Sequence, residues 1–333
     1  MPLPRTDSHT VRAGGPAVFE HSLVVTDEDM RGLYEKAKRD QWDASRDVDW
    51  SQEVDRERGI FADGLIDIYG TSYWERLAPG ERIALNRHFS AWRISQLMYG
   101  EEFAMLICSQ LVEMVPGIDA KFFLATQVMD EARHSEVLAR YLQAKVGTVY
   151  PLSAHLRRMF DHLLETEHWY LKTVGTQLVA ETLAVSLFRM LADSSQDALI
   201  REICRRILGD EARHMGFGML SLPAQVEALS ERERREAEDF ACEATAGLLH
   251  GQFPREAYEA VGFNKAEVED IEQLRREIVE RGEYAMFRMR FRRDFHATLW
   301  NNLSRIGLMS ARVAQRLEAL GVRVPEGAPP PSS

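Results

Sequence analysis

The sequence predicts an all-α protein built on a four-helix bundle with additional flanking helices, and three observations carry that prediction. Long segments near 81–114, 118–146, 152–192 and 196–226 repeat their apolar residues with the 3.6-residue period of a helix, and turn-forming residues separate them. No run alternates in polarity like a half-buried strand, and Val and Ile nowhere dominate a short segment flanked by turn residues. The third observation is an internal repeat. Asp-Glu-Ala-Arg-His occupies 130–134 and again 210–214, and a Glu stands 30 residues before each motif glutamate, Glu101 before Glu131 and Glu181 before Glu211. The whole unit recurs at an offset of 80 residues, from 131 to 211, as two related helical hairpins would.

In chain order, residues 1–20 are rich in Pro and Gly and read as a flexible tail. Thr26 with Asp29 marks the start of a helix over 26–42, and 52–75 reads as another. Pro79-Gly80 opens the first long helix, Pro116-Gly117 ends it, and Gly147 to Pro151 closes the second. Ala192 to Ser195 separates the third from the fourth, with Ser194 and Asp197 as a cap pair. Ser230 with Glu233 starts a helix over 229–251, further helix covers 264–320, and 321–333 ends as a disordered tail, VPEGAPPPSS. The expected organisation is one helical domain over 21–320 around a core at about 81–226.

A length of 333 residues, with 45% hydrophobic and 28% charged, fits a globular chain and excludes fibrous or disordered classes for most of the length. The net charge of −11 argues against nucleic acid and anionic membranes, which recruit an excess of Lys and Arg. Cys108, Cys204 and Cys242 form no Cys-x-x-Cys pair, so neither a disulfide framework nor a thiolate zinc site is indicated. The N-terminus lacks the apolar stretch of a secretion signal, and no segment offers about 18 uncharged apolar residues in a row, so a cytoplasmic chain is expected.

The repeat carries chemistry. Helix positions i and i+3 differ by about 60° around the axis, so Glu131 with His134, and Glu211 with His214, project together. One Glu from each of two helices plus a Glu-x-x-His from each of the other two is the donor pattern of di-iron and di-manganese carboxylate bundles. Glu101 sits among Ile94, Leu97, Ala104, Cys108 and Leu111 at helical spacing, and Glu181 among Val174, Leu178, Ala184, Val185 and Phe188. A carboxylate on an apolar face needs compensation, and four carboxylates with two divalent ions are neutral together. Asp130 and Asp210 stand one turn before the histidines, with Arg133 and Arg213 three residues after the aspartates. The aspartates are expected to accept the free imidazole N–H groups, within their own helix or across the pair, while the arginines balance charge. Hard carboxylates with two imidazoles suit iron or manganese.

A lone Glu-x-x-His is weak evidence, and Glu165-Thr-Glu-His168 shows why. Glu165 shares its face with Arg158, Asp161, His162 and Lys172, which reads as solvated surface. Glu102 competes with Glu101, but it lies beside Ser95, Tyr99 and Ser109 and breaks the matched spacing. Cys108 and Cys204 read as packing, as do Met105, Met129, Met215 and Met219. Arg288, Arg290, Arg292 and Arg293, interleaved with Phe287, Phe291 and Phe295, read as a solvated helix face.

Over about 81–226 the chain resembles the ferritin-like superfamily of carboxylate-bridged dinuclear proteins, above all its oxygenase branch, with the two DEARH motifs as its strongest marks. In length and extra helices it is similar to the p-aminobenzoate N-oxygenases. The resemblance implies Glu101 and Glu181 as terminal ligands, Glu131 and Glu211 as bridging ligands, and His134 and His214 as nitrogen ligands. It implies two Fe ions, with Fe/Mn or Mn/Mn as variants, dioxygen as co-substrate, and a homodimer. The pattern departs at three positions. Ile207 stands where p-aminobenzoate N-oxygenase has a further His ligand, Leu138 where a ribonucleotide reductase radical subunit has Tyr, and Val185 where multicomponent monooxygenases have Thr.

The function expected is a non-haem di-iron oxygenase that hydroxylates or N-oxygenates a small apolar or aromatic molecule, with no catalytic side chain beyond the metal ligands. No Cys set for an iron–sulfur centre and no Gly-x-Gly-x-x-Gly fingerprint appears, so an external electron donor or reductase is expected. A ferroxidase or iron-storage protein, and an iron or manganese peroxidase-catalase, are the alternatives. Well over 100 residues lie outside 81–226, enough helix to build a substrate pocket, and this favours an oxygenase over a storage protein.

Overall fold

A computed structural model of the chain describes residues 15–21, 24–249, 253–281, 286–328 and 331. Its core is the expected bundle. Helix α1 spans Glu28–Arg39, α2 Pro79–Met114, α3 Ile118–Tyr141, α4 Ala154–Glu165, α5 Trp169–Ser194, α6 Ala198–Ala228 and α7 Glu231–Leu249. Helices α8 (Lys265–Arg281), α9 (Met286–Arg305) and α10 (Ala311–Ala319) follow. α2 packs chiefly on α3 and α5 chiefly on α6, and α3 against α6 joins the two hairpins. This is the architecture that the 80-residue offset from 131 to 211 anticipates. Among the described residues there is no strand, and Phe61 and Ser195 form an isolated antiparallel bridge.

Three expected segments resolve differently, each for a local reason. The third long segment is broken: Thr166 is extended, and α4 ends at Glu165. Buried Lys172 donates to the carbonyls of Leu163 and Leu164, at 3.0 and 2.8 Å, so an ammonium from the next helix satisfies the end of α4. Residues 52–75 hold only a 3-10 turn at Asp63–Leu65 and one helical turn at Ser72–Glu75. Their backbone is committed elsewhere, because the Asn86 side chain accepts from Ile60 N and donates to Phe61 O while Ala62 N bonds Ser194 O. The last segment, 264–320, divides into α8, α9 and α10.

Two caps also move. Asp27, not Thr26, caps α1 by accepting from Met30 N, and Asp197 caps α6 by accepting from Ile200 N at 2.8 Å. The Ser230–Glu233 box before α7 forms as expected. Arg290 and Arg293 of α9 are exposed, but Arg288 turns inward and, with Arg275, neutralises buried Asp67. Met129 is 60% exposed and is not core. Residues 15–20 and 321–328 carry no helix; the remainder of the two expected tails, apart from 331, lies outside the described residues.

α5 is long and apolar enough to cross a membrane by composition, yet it is the buried core helix of the bundle. It contains a π-helical stretch, Val174–Ala180, immediately before Glu181. The three cysteines are free and buried.

One carboxylate fixes the position of α1. Asp119, in the first turn of α3, accepts from Thr26 N, Asp27 N and Arg31 Nε at 2.9, 3.1 and 2.7 Å. α1 then crosses α3 and α6 and delivers Gln41 and Trp42 to the bundle interior. Asp119→Ala is expected to lower unfolding free energy by about 2 kcal/mol, the loss of a buried charge-assisted cluster, measured by urea denaturation. A change under about 0.5 kcal/mol would show that α1 is held by other contacts.

Candidate metal centre

All six donors meet between α2, α3, α5 and α6. Glu101, Glu131, His134 and Glu211 form one group and Glu131, Glu181, Glu211 and His214 a second, with the donor atoms of each group within 4.8 Å of one another. Glu131 and Glu211 belong to both groups, whereas Glu101 sides with His134 and Glu181 with His214. The structure therefore distributes the six residues as two terminal pairs around two shared carboxylates. All six are buried, while Glu102 is exposed, as are Glu165 and His168 of the single-copy motif. Lys172, read as part of that surface, is instead buried beneath it.

The histidines are oriented from behind, and across the pair. His134 Nε2 lies 2.9 Å from Asp210 Oδ2, and His214 Nε2 lies 3.2 Å from Asp130 Oδ2. An ionised carboxylate only accepts, so both Nε2 atoms carry hydrogen and donate, which turns both Nδ1 atoms toward the glutamates, where each holds a proton that a metal would replace. Arg133 bridges Asp130 and Asp210 at 2.5 and 3.0 Å, and Arg213 reaches the same two aspartates. Two aspartates and two arginines are neutral together. Burial opposes ionisation of Asp210 and Asp130, but the imidazoles and guanidiniums more than offset it and hold both carboxyls below their ordinary range.

The inner face is where charge is unbalanced. His134 Nδ1 lies 3.1 Å from Glu101 Oε2, 3.2 Å from Glu131 Oε2 and 3.2 Å from Glu211 Oε1. His214 Nδ1 lies 3.1 and 3.2 Å from Glu131 and Glu211. Neighbouring donors on one ion at about 2.1 Å stand roughly 3 Å apart, so these separations fit shared cations. Glu211 Oε1 is buried and faces no partner but His134 Nδ1 at 3.2 Å, so a cation between the two would engage it. The donor set thus fits a dinuclear centre of hard divalent ions.

Without a metal, protons substitute. Burial lowers the proton affinity of His134, but hydrogen bonds to Asp210, Glu101, Glu131 and Glu211 raise its pKa well above the ordinary value; the charges of Glu131 and Glu211 do the same for His214. Burial, then the charge of Glu211, pushes Glu101 and Glu181 well above the carboxylate range. Glu131 and Glu211 are held below it despite their burial, with the imidazoles contributing at both.

Sequence reasoning missed four residues around this set. Gln127 donates to Glu131 at 2.9 Å and Glu181 at 3.0 Å, and Gln177 donates to Gln127 at 3.0 Å. Trp42 Nε1 donates to Asp210 at 2.7 Å, and Gln41 donates to Asp130 at 2.8 Å. Gln127 and Gln177 each stand one turn before a site glutamate on an apolar face, which was a usable signal. Gln41 and Trp42 left none, since only tertiary folding brings them in. The opposite end is dry: Ile207, one turn before Glu211, is fully buried and leaves the extra histidine position apolar.

A cavity opens on the cluster between α2, α4, α5 and α7. Glu101 and Glu181 line it, with Leu97, Phe103, Ala104, Phe160, Leu183 and Leu187 as its apolar walls. Gln96, Arg93 and Thr176 also line it.

A family model described as P-aminobenzoate N-oxygenase AurF matches residues 26–291. No curated protein matches the chain by sequence. Among solved structures, an R2-like ligand-binding oxidase with an aerobically reconstituted Mn/Fe cofactor superposes with a TM-score of 0.52 at 20% identity, covering 83% of this chain and 93% of that one. A variant of that oxidase reconstituted anaerobically gives 0.50 at 18%, covering 81% and 92%. A protein from Synechococcus with aldehyde deformylating oxidase activity gives 0.49 at 16%, covering 71% and 97%. The likeness to the two oxidase structures establishes the ferritin-like helical fold.

Two outcomes are expected from this geometry. Asp210→Ala removes the acceptor that fixes His134 and should weaken metal affinity about 10- to 100-fold in equilibrium dialysis; unchanged affinity would show that His134 needs no such support. Because the two histidines and two of the glutamates are held protonated when metal is absent, loading Fe(II) anaerobically near pH 7 should release more than one proton per ion, and affinity should fall as pH falls. An unbuffered titration with a pH indicator reads this, and loading without proton release would contradict it.

Proposed function

The chain belongs to the p-aminobenzoate N-oxygenase family, and from that membership we propose that it oxidises a small aromatic or apolar molecule with dioxygen, at two iron ions held by Glu101, Glu131, His134, Glu181, Glu211 and His214. The observation that carries this reading is the apolar cavity that ends on Glu101 and Glu181. A protein that stores or mineralises iron needs a polar path for ferrous ions to its centre. Here the walls beside the cluster are Leu97, Phe103, Phe160 and Leu183, which suit an organic molecule.

The chemistry the iron pair supplies when bound is reductive activation of dioxygen, with electrons from an external donor. The chain's own residues prepare the place. Glu131 and Glu211 lie in both donor groups and are positioned to hold the ions together, while Glu101 and Glu181 face the cavity and the bound substrate. Asp210 and Asp130 keep the imidazole Nε2 protons in place, so that each Nδ1 presents a lone pair. Gln127 holds Glu131 and Glu181 by their inward oxygens. The apolar walls exclude bulk water. Ile207 leaves six donors instead of seven, and this smaller set motivates testing hydroxylation beside N-oxygenation of arylamines.

Iron-loaded protein with reductant, dioxygen and a panel of arylamines and alkylbenzenes should consume dioxygen in a substrate-dependent way and yield oxygenated products by mass spectrometry. Substrate-independent mineral accumulation, or rapid destruction of hydrogen peroxide, would overturn the reading. Elemental analysis should find about two metals per chain, the number the six-donor set accommodates, and Glu181→Ala should retain about one. Full occupancy in that variant would remove Glu181 from the ligand set. Ala184→Trp, which fills the cavity, should retain the metal and abolish turnover.

A further inference from the structure

The repeat gives each metal position its own glutamate and histidine, yet only one of the two glutamates is held in place by another residue. Glu101 and Glu181 are buried alike, 5% and 4% exposed, and each histidine is backed by an aspartate. Those features do not separate the two positions. Gln127 does. Its Nε2 donates to Glu181 Oε1 at 3.0 Å and to Glu131 Oε1 at 2.9 Å. Glu131 lies in both donor groups, so the bond to it acts on both positions, whereas the bond to Glu181 acts on one. The residue related to Gln127 by the repeat is Ile207, which has nothing to donate.

The Gln127 carboxamide is fixed in this orientation. Gln177, in the π-helical stretch of α5, donates to Gln127 Oε1 at 3.0 Å. That leaves the Gln127 NH2 group toward the carboxylates, which only accept once metal has ionised them. Gln177 is pinned in turn, because α6 passes so close at Gly218 that a Cβ there would fall 2.9 Å from Gln177 Cβ. The other end of the cluster lacks this support. Leu97 stands where the repeat has Gln177, and among the described residues Glu101 makes a side-chain hydrogen bond to His134 Nδ1 alone, at 3.1 Å. An ion takes that Nδ1 for itself, so the bond disappears as the position fills. Glu101 then keeps no protein partner, while Glu181 keeps Gln127.

We propose that the two metal positions are unequal: Gln127 preorganises the one formed by Glu181 and His214, which fills first, and the one formed by Glu101 and His134 fills second. The inference rests on the dinuclear reading of the six donors. A ligand already oriented by a neighbouring residue loses less freedom when it binds, and such support is worth about 10- to 100-fold in affinity. Gln127 is a positioning residue, acting on the ion through Glu181. The ion beside Glu101 is the more readily exchanged of the two.

Mn(II) titrated into the metal-free full-length protein and followed by electron paramagnetic resonance tests this, since an isolated ion and a spin-coupled pair give different spectra. One equivalent should give mainly isolated bound Mn(II), and the coupled pair should appear with the second equivalent, at an affinity weaker by about tenfold or more. Glu181→Gln should remove the tighter step and leave the weaker one, and Glu101→Gln should do the reverse. Gln127→Leu should bring the two affinities within about threefold of each other. A coupled pair already dominant at one equivalent, or the two glutamate variants behaving the other way round, overturns the order of filling. An unchanged ratio of affinities in Gln127→Leu overturns the role of Gln127; should that variant not fold, the glutamate variants decide the order without it. A single ion at saturation, or none, overturns the dinuclear reading itself, whereas two ions of equal affinity overturn this inference alone.

Discussion

Everything in this fold is arranged around four carboxylates that sit within a few ångströms of one another in a dry helix bundle. Left alone, their mutual repulsion and lost hydration would force protons onto them or drive the helices apart. Two divalent ions cancel their charge, and a separate neutral set of Asp130, Asp210, Arg133 and Arg213 lies directly behind the histidines. The bundle interior is therefore electrically balanced in two concentric layers. Each layer takes one half from each hairpin, so neither hairpin is complete without the other.

The internal repeat makes the donor set symmetric, but its surroundings are not. Gln127 and Gln177 occupy one end of the cluster, while buried Ile207 and Leu97, the positions related to them by the repeat, are apolar. The two faces differ as well. α1 brings Gln41 and Trp42 against the aspartates on the histidine side, and the cavity opens on the glutamate side. Support for the histidines and access for an organic molecule thus come from opposite directions. Neither has to give way for the other.

The sequence made the bundle and the clustering of the four glutamates and two histidines legible because both follow from helical spacing. Period 3.6 places Glu131 with His134, and an exact repeat removes the ambiguity that a single copy such as Glu165–His168 carries. What was illegible depended on contacts between distant segments. Asn86 takes up the backbone of Ile60 and Phe61, so a segment that scans as helix forms irregular chain. Lys172 scans as a surface charge, yet it is buried because the last carbonyls of α4 need a donor. The swapped pairing, His134 to Asp210 and His214 to Asp130, was one of two choices the spacing left open, and only the packing of α3 on α6 decides it.

The most direct test of the account is diffraction from crystals of the iron-loaded protein, with anomalous maps at the iron edge. The account predicts two peaks about 3.5–4 Å apart, with Glu131 and Glu211 each touching both, Glu101 and His134 on one, and Glu181 and His214 on the other. A single peak, or a pair whose contacts omit either repeated glutamate, would contradict it.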